Sequence, residues 1–297
     1  MTTVPQATNA VTKAVPRSRR ALRNRIRKAV PWAVISAFLI FALFPVYWII
    51  LIAFRPRDDI FQYPAALMPS NLSLDNIRYV WFGTQTNDPV IGFLGTSLII
   101  SVTASVIALA FGVCCAYALG RFRIGGKFLS MWILSQRFLP PIALVVPLYL
   151  MFRQLGLLDT YTGLIILYAT FTIPIVVWLM LGYVESAPRE LEEAAYVDGA
   201  GYWTAFVRIA LPVLKPGLSV AAVFTFIFIW NEYVLAYQLA GDDVATITVY
   251  LPRLRSAIAE LYGEIAAASL LSVLPAILFA GVMQRFLVRG LAFGGLK

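Results

Sequence analysis

The 297-residue chain is 60% hydrophobic and only 13% charged, with a mean hydropathy of +0.80, far below the roughly 25% charge of soluble domains. That composition places it in a membrane. Histidine is absent and the only two cysteines, Cys114 and Cys115, are adjacent, which excludes His-based triads, His metal sites and a His proton shuttle, and argues against a structural disulfide.

The chain opens on a basic arm, residues 1–30, carrying Lys13, Arg17, Arg19, Arg20, Arg23, Arg25, Arg27 and Lys28. The arm is expected to be cytoplasmic and largely disordered, above all over its first 20 residues, which are rich in Thr, Ala and Pro. It abuts an apolar run, so the expected contact for the chain's net charge of +9 is anionic membrane lipid and not nucleic acid.

Residues 31–297 read as one all-α domain of six transmembrane helices, because six apolar stretches reach the length of about 20 residues that crosses a bilayer core. The first, 31–54, is too long for the apolar part of a signal peptide, and no small-residue cleavage site follows it, so it is expected to persist. The second, 90–119, is uncharged. The third, 128–152, contains Arg137 together with Pro140, Pro141 and Pro147. Proline inside a span predicts kinks, here and at Pro45, Pro174 and Pro275. The third span is therefore a pathway candidate, although proline is also simply commoner in membrane helices. The fourth stretch, 160–184, carries no charge.

Between the fourth and fifth spans lies a polar loop, 185–216. "SAPRELEE" starts a helix, with Pro188 early and acids following. "DGAG" stops it near Gly199, and a second helix over 202–210 is expected to end at Pro212. Ala194, Ala195, Gly199, Ala200 and Gly201 would let another backbone approach, with Glu192, Glu193 and Asp198 at the edge. The residues alone suit either insertion into a groove on a soluble partner or an interfacial hairpin joining two spans.

The fifth stretch, 217–239, holds Glu232, and the sixth, 265–284, is uncharged. An intramembrane charge faces protein or water, and a direct Arg137–Glu232 pair is one arrangement open to these two. Asn231 and Gln238 share a helix face, with Trp230, Tyr233 and Tyr237 on a neighbouring one. With six crossings, seventeen Lys and Arg fall on the N-terminal side and six on the other, so both termini are expected in the cytoplasm.

Glu193, Ala194, Ala195, Gly199, Ile209, Leu211 and Pro212 match, gap for gap, the signature Glu-Ala-Ala, three residues, Gly, nine residues, Ile-x-Leu-Pro. The chain thus resembles the permease subunits of binding-protein-dependent ABC importers. "LPPIALVVPLYLMFRQLGLLDTYTGLI", "WNEY" and "QRFLVRGLAFGGLK" resemble the carbohydrate-uptake branch, near the smaller maltose-type permease. Gly201 stands where that family often has Ser or Asn, and Tyr233 where it often has Phe.

The resemblance implies a sugar-import permease that forms a pathway with a second permease subunit. Glu193, Ala194, Ala195, Asp198 and Gly199 would couple it to two cytoplasmic ATPase subunits, which bind ATP and Mg, and an extracytoplasmic sugar-binding protein would deliver the cargo. No catalytic residue, metal site or cofactor is expected in the chain itself. "GRFRIGGKF" fails as a phosphate-binding loop, since its Lys is misplaced by one and no Ser or Thr follows; its basic residues Arg121, Arg123 and Lys127 read as topology signals, with a minor role in partner contact open to them. Arg137, Asn231, Glu232, Tyr233 and Gln238 are the candidate pathway residues: amides and aromatics suit a sugar's hydroxyls and apolar ring faces, or else join helices and form an interfacial belt. The alternatives are an ion-gradient-driven secondary transporter using Arg137 and Glu232 as its coupling site and, ranked last for want of His, an intramembrane enzyme.

Overall fold

The computed structural model describes residues 17–63, 67–68, 71–84, 88–254 and 261–294; the disorder expected of residues 1–16 lies outside them. Among the described residues every regular element is helical. Contacts divide the chain into two compact units, 1–50 and 51–297.

The first unit is built on α1 (Arg17–Ala53), one 37-residue helix that runs through Pro31 and Pro45. The basic stretch from Arg17 is therefore helical and continuous with the first span. Arg, Ala and Leu are good helix formers, and adding turns to an existing helix avoids the nucleation cost.

In the second unit come α2 (Arg57–Ile60), α3 (Asp75–Phe82), α4 (Val90–Phe122), α5 (Gly126–Ser135) with a single tighter turn Gln136–Phe138, α6 (Pro141–Gln154) and α7 (Tyr161–Ser186). There follow α8 (Glu190–Val197), α9 (Tyr202–Ala205), a wide π turn Phe206–Ala210, α10 (Leu211–Val213), α11 (Lys215–Trp230), α12 (Val234–Leu239), α13 (Ile247–Arg253) and α14 (Tyr262–Gly294).

Four helices are long and apolar enough to cross a membrane, over Val30–Ala53, Val90–Phe122, Tyr161–Ser186 and Tyr262–Gln284. A bent pair, Gly126–Phe138 with Pro141–Gln154 at 88°, makes a fifth crossing if it is one span, and Lys215–Trp230 with the preceding Tyr202–Val213 at 76° makes the sixth, its first arm being the second helix of the loop 185–216 and not part of the expected 217–239. Of the predicted proline kinks, the break falls at Pro140–Pro141. Proline disfavours the helical conformation in the residue before it, so Leu139 (ψ 120°) and Pro140 (ψ 128°) are both extended. A single proline does not have this effect: Pro147, Pro174 and Pro275 lie inside continuous helices. The fifth stretch also departs from expectation, since its helix stops at Trp230 and resumes only at Val234.

The centre of the second unit is the contact of α4 with α7. Ala104, Ala108 and Ala116 are fully buried along α4, and two glycines bring the backbones together. A Cβ on Gly112 would lie 2.6 Å from the Val176 side chain, and one on Gly120 would lie 2.7 Å from that of Val184. Apolar helices gain little from mutual hydrophobicity in lipid, so close van der Waals approach over small residues is what holds them. α11 joins in the same way, Gly217 lying flat against the ring of Tyr183. Gly112→Ala should destabilise the protein in detergent by about 1 kcal/mol or more, overpacking outweighing the gain in helix propensity. Gly92→Ala, where nothing lies within 4 Å, should be neutral or stabilising; thermal unfolding of the two variants checks this.

Candidate functional site

The loop 185–216 folds as the helix, Gly turn and helix expected of it. α8 begins with Glu190, Glu192 and Glu193 in its first turn, where acids complement the helix dipole. It ends in a Schellman cap: Ala200 N–H donates to Ala195 O (2.9 Å) and Gly199 N–H to Tyr196 O (3.1 Å), with Gly199 at φ +84°, a conformation glycine adopts without strain. Pro212 does not end the second helix as expected. It has no N–H for the carbonyl four residues back; the π turn before it, closed by Leu211 N–H on Phe206 O, carries the helix past it.

The two faces of α8 differ. Glu193, Ala194, Val197, Asp198 and Gly199 are exposed, Val197 by 88%, and Tyr202 and Trp203 extend this surface. Ala195, read from the sequence as part of the same surface, turns inward with Glu192, because residues three apart share a helix face. Glu192 Oε1 accepts from Arg121 Nε (2.9 Å) and Nη2 (2.8 Å), and its Oε2 accepts from Tyr117 Oη (2.6 Å). Arg121 Nη2 also donates to Ala187 O, and Arg189 Nη2 to Gly120 O. Tyr117, Phe122, Tyr196, Tyr202 and Phe206 close over these charges in a chain of ring contacts.

The candidate pathway residues are not brought together. Arg137, at the break between α5 and α6, donates from Nη1 to Phe171 O (3.2 Å) and lies 4.9 Å over the Phe228 ring, a cation–π contact. Glu232, in the gap between α11 and α12, accepts from Tyr168 Oη (2.8 Å) and from the N–H groups of Leu235 (2.9 Å) and Ala236 (3.1 Å). Neither has an ion-pair partner among the described residues. The helix break also dissolves the shared faces expected over 230–238. Trp230 is buried, its indole donating to Ser272 O on α14, while Asn231, Tyr233, Tyr237 and Gln238 stay exposed, with the rings of Tyr233 and Tyr237 5.4 Å apart. Two open grooves flank the bent third span, about 720 Å³ beside Lys127, Met131 and Trp178 and about 460 Å³ beside Gln136, Thr170 and Phe171; neither is lined by Asn231, Tyr233 or Gln238. Among the described residues no group of three or more Cys, Asp or Glu is placed to hold a metal.

Residues 108–293, which include the hairpin and both broken spans, match the model of the binding-protein-dependent transport system inner membrane component. The chain belongs to this family. It is 35% identical to the trehalose transport system permease protein SugB of Mycobacterium tuberculosis over 91% of its own length and 98% of that protein's. With the diacetylchitobiose uptake system permease protein NgcG of Streptomyces coelicolor the identity is 30%, over 89% and 87%. A chain in the crystal structure of a bacterial ABC transporter involved in the import of the acidic polysaccharide alginate superposes with a TM-score of 0.74 at 25% identity, covering 92% of this chain and 99% of that one. The protein is thus a permease subunit of an ATP-driven importer and a multi-pass inner membrane protein. As a permease it is a transport component, the ATPase activity lying in separate subunits. The ion-gradient-driven carrier is set aside on the same ground.

Sequence reasoning missed three groups in this permease. Tyr117 and Arg121 lie in the last turns of a long apolar helix, and Arg121 read as a topology signal with at most a minor role in partner contact. The third is Asp159, in the turn before α7. Its backbone is left-handed (φ 52°), and its carboxylate accepts from the N–H groups of Gly241 (2.7 Å), Val244 (3.0 Å) and Asp243 (3.3 Å). A Cβ on Gly241 would strike that carboxylate at 2.3 Å. The visible signal was Asp, tolerant of the left-handed region, just before the Thr160 helix cap. Asp159→Ala should leave these N–H groups without an acceptor, so that amide hydrogen exchange over 240–246 quickens while α4 and α7 keep their protection.

Proposed function

We propose that this permease imports a sugar, pairing with a second permease subunit to form the pathway and receiving its drive from two cytoplasmic ATPase subunits that bind ATP and Mg. An extracytoplasmic binding protein delivers the cargo, and both termini and α8 lie on the cytoplasmic side, as the surplus of Lys and Arg there supports. The observation that carries the coupling role is the face of α8 made by Glu193, Ala194, Asp198 and Gly199, exposed at the tip of a hairpin. The Glu193 carboxylate has no partner among the described residues and is free to meet a cation on an ATPase surface. Ala194 and Gly199 let that surface come close. Ala195 supports the face from below. ATP shifts the permease between its states only through unequal affinity for them, and α8 is the element through which that difference is felt.

The sugar assignment rests on the relatives named for trehalose and diacetylchitobiose uptake. In this chain Tyr233 and Tyr237 offer adjacent exposed rings, which stack on pyranose faces, and Asn231 and Gln238 are exposed amides of the same segment, able to bond hydroxyls. Arg137 and Glu232 shape the pathway by holding its broken helices. Ala194→Trp, on the exposed face, should abolish uptake of radiolabelled trehalose or diacetylchitobiose into proteoliposomes holding the full assembly, with normal amounts of the subunit in the membrane. Unchanged uptake would refute the coupling role of α8, and uptake of neither these two sugars nor any other mono- or oligosaccharide by the wild type would refute this cargo class.

A further inference from the structure

A surface that only receives a soluble subunit is complete with the exposed residues of α8. Glu192 lies on the opposite face, and its side chain and that of Arg121 are only 7% and 6% exposed. We propose that Glu192, Arg121 and Tyr117 form the joint that makes α8 move as one body with α4 and α7. Displacement of the hairpin by the ATPase subunits is then delivered to the membrane-spanning pair. This inference rests on the coupling role proposed for α8.

The covalent links do not supply this stiffness. Ala187 is extended (ψ 137°), and α8 is followed by a turn containing Gly199 and Gly201, so a helix of eight residues would be free to swing about both ends. The bonds to α4 remove that freedom from two sides. Arg121 reaches both Glu192 and Ala187 O, and Arg189 reaches back to Gly120 O. Glu192 is gripped by two N–H groups of one guanidinium and by a phenol, so its orientation as well as its position is set.

A desolvated ion pair is a poor source of stability, because well-packed apolar side chains of similar volume commonly do as well or better. Directional bonds give a single geometry that apolar packing does not enforce. The geometry is passed on directly: Gly120, whose carbonyl Arg189 holds, is one of the two glycines at which α4 meets α7. At its other end α7 begins beside Asp159, which grips the loop after α12. The α4–α7 pair thus ties the hairpin at one end to the clasped loop at the other.

The test uses the assembled transporter, with Cys114 and Cys115 replaced by Ser and spin labels on Glu190→Cys and Phe111→Cys, both exposed positions; Glu190 shares the coupling face with Glu193 and Ala194, so the labelled complex is first required to keep its ATPase subunits and their hydrolysis. In the otherwise wild-type complex the 111–190 distance should change by less than about 1 Å between the nucleotide-free and the ATP–vanadate states, below the 1–2 Å of helix shifts at interfaces. Glu192→Gln should broaden that distance or shift it by more than about 2 Å on the same scale, while the ATPase subunits still co-purify and hydrolyse ATP within about twofold of the wild-type rate. Tyr117→Phe should fall between.

Should Glu192→Gln fail to accumulate, the double variant Glu192→Leu with Arg121→Met fills the volume without burying an unpaired charge, and the same loosening is expected of it. A wild-type distance that moves as much as the variant's overturns the joint. So does a variant whose distance stays fixed, or one that loses its ATPase subunits, which would put Glu192 in the docking surface. Absence of ATPase from the wild-type assembly would instead sink the coupling reading beneath it.

Discussion

The close approach of α4 and α7 is the contact on which the rest of the second unit hangs. Two α-helices in lipid have no water to expel from between them, and what holds them is the number of atoms brought into contact. Gly112 and Gly120 reduce the separation until Val176 and Val184 occupy the space where side chains would stand. α11 enters the same packing through Gly217 and Tyr183. Once three helices are locked at backbone distance, whatever is bonded to their ends inherits their rigidity: α8 at one end, the Asp159 clasp at the other.

Where the spans break, side chains take over work that a continuous helix does with its backbone. An unpaired peptide group costs several kcal/mol in hydrocarbon, so interruptions persist only where a partner is at hand. After Trp230 the helical ladder stops, and Glu232 accepts the N–H groups that open α12, while Thr248 donates its hydroxyl to Glu232 O. At the double proline Arg137 donates to Phe171 O, next to the carbonyl of Thr170 that Pro174 leaves without its usual donor. Both intramembrane charges therefore have structural occupations. That explains why two groups so costly to place in a bilayer are tolerated without neutralising one another.

The acids of the loop 185–216 divide their work by a rotation of about 100° per residue. Glu192 and Glu193 are neighbours in sequence, yet one is sealed beneath aromatic rings against Arg121 and the other stands in solvent. An α-helix too short to be stable by itself is tied to α4 through the first and leaves the second exposed. The family signature lies on both faces, since Ala195 packs inward beside Glu192 while Ala194 and Gly199 remain open.

Apolar run length and the pattern of glycine, proline and acid by themselves determined the helical class, the apolar stretches that form the spans, the hairpin with its Gly199 stop, and the family, because each is a local property of ten to twenty consecutive residues. Tertiary structure alone decided which of those residues meet. Nothing near Glu192 in the chain announces Arg121, which lies 71 residues away, and nothing near Asp159 announces Gly241, 82 residues on. The expected single fifth helix and the shared face of Asn231 and Gln238 failed for the same reason. Trp230 and Glu232 find partners on α14 and α7, and such long-range bonds, absent from any local window, outweigh the propensity of an apolar run to continue as helix.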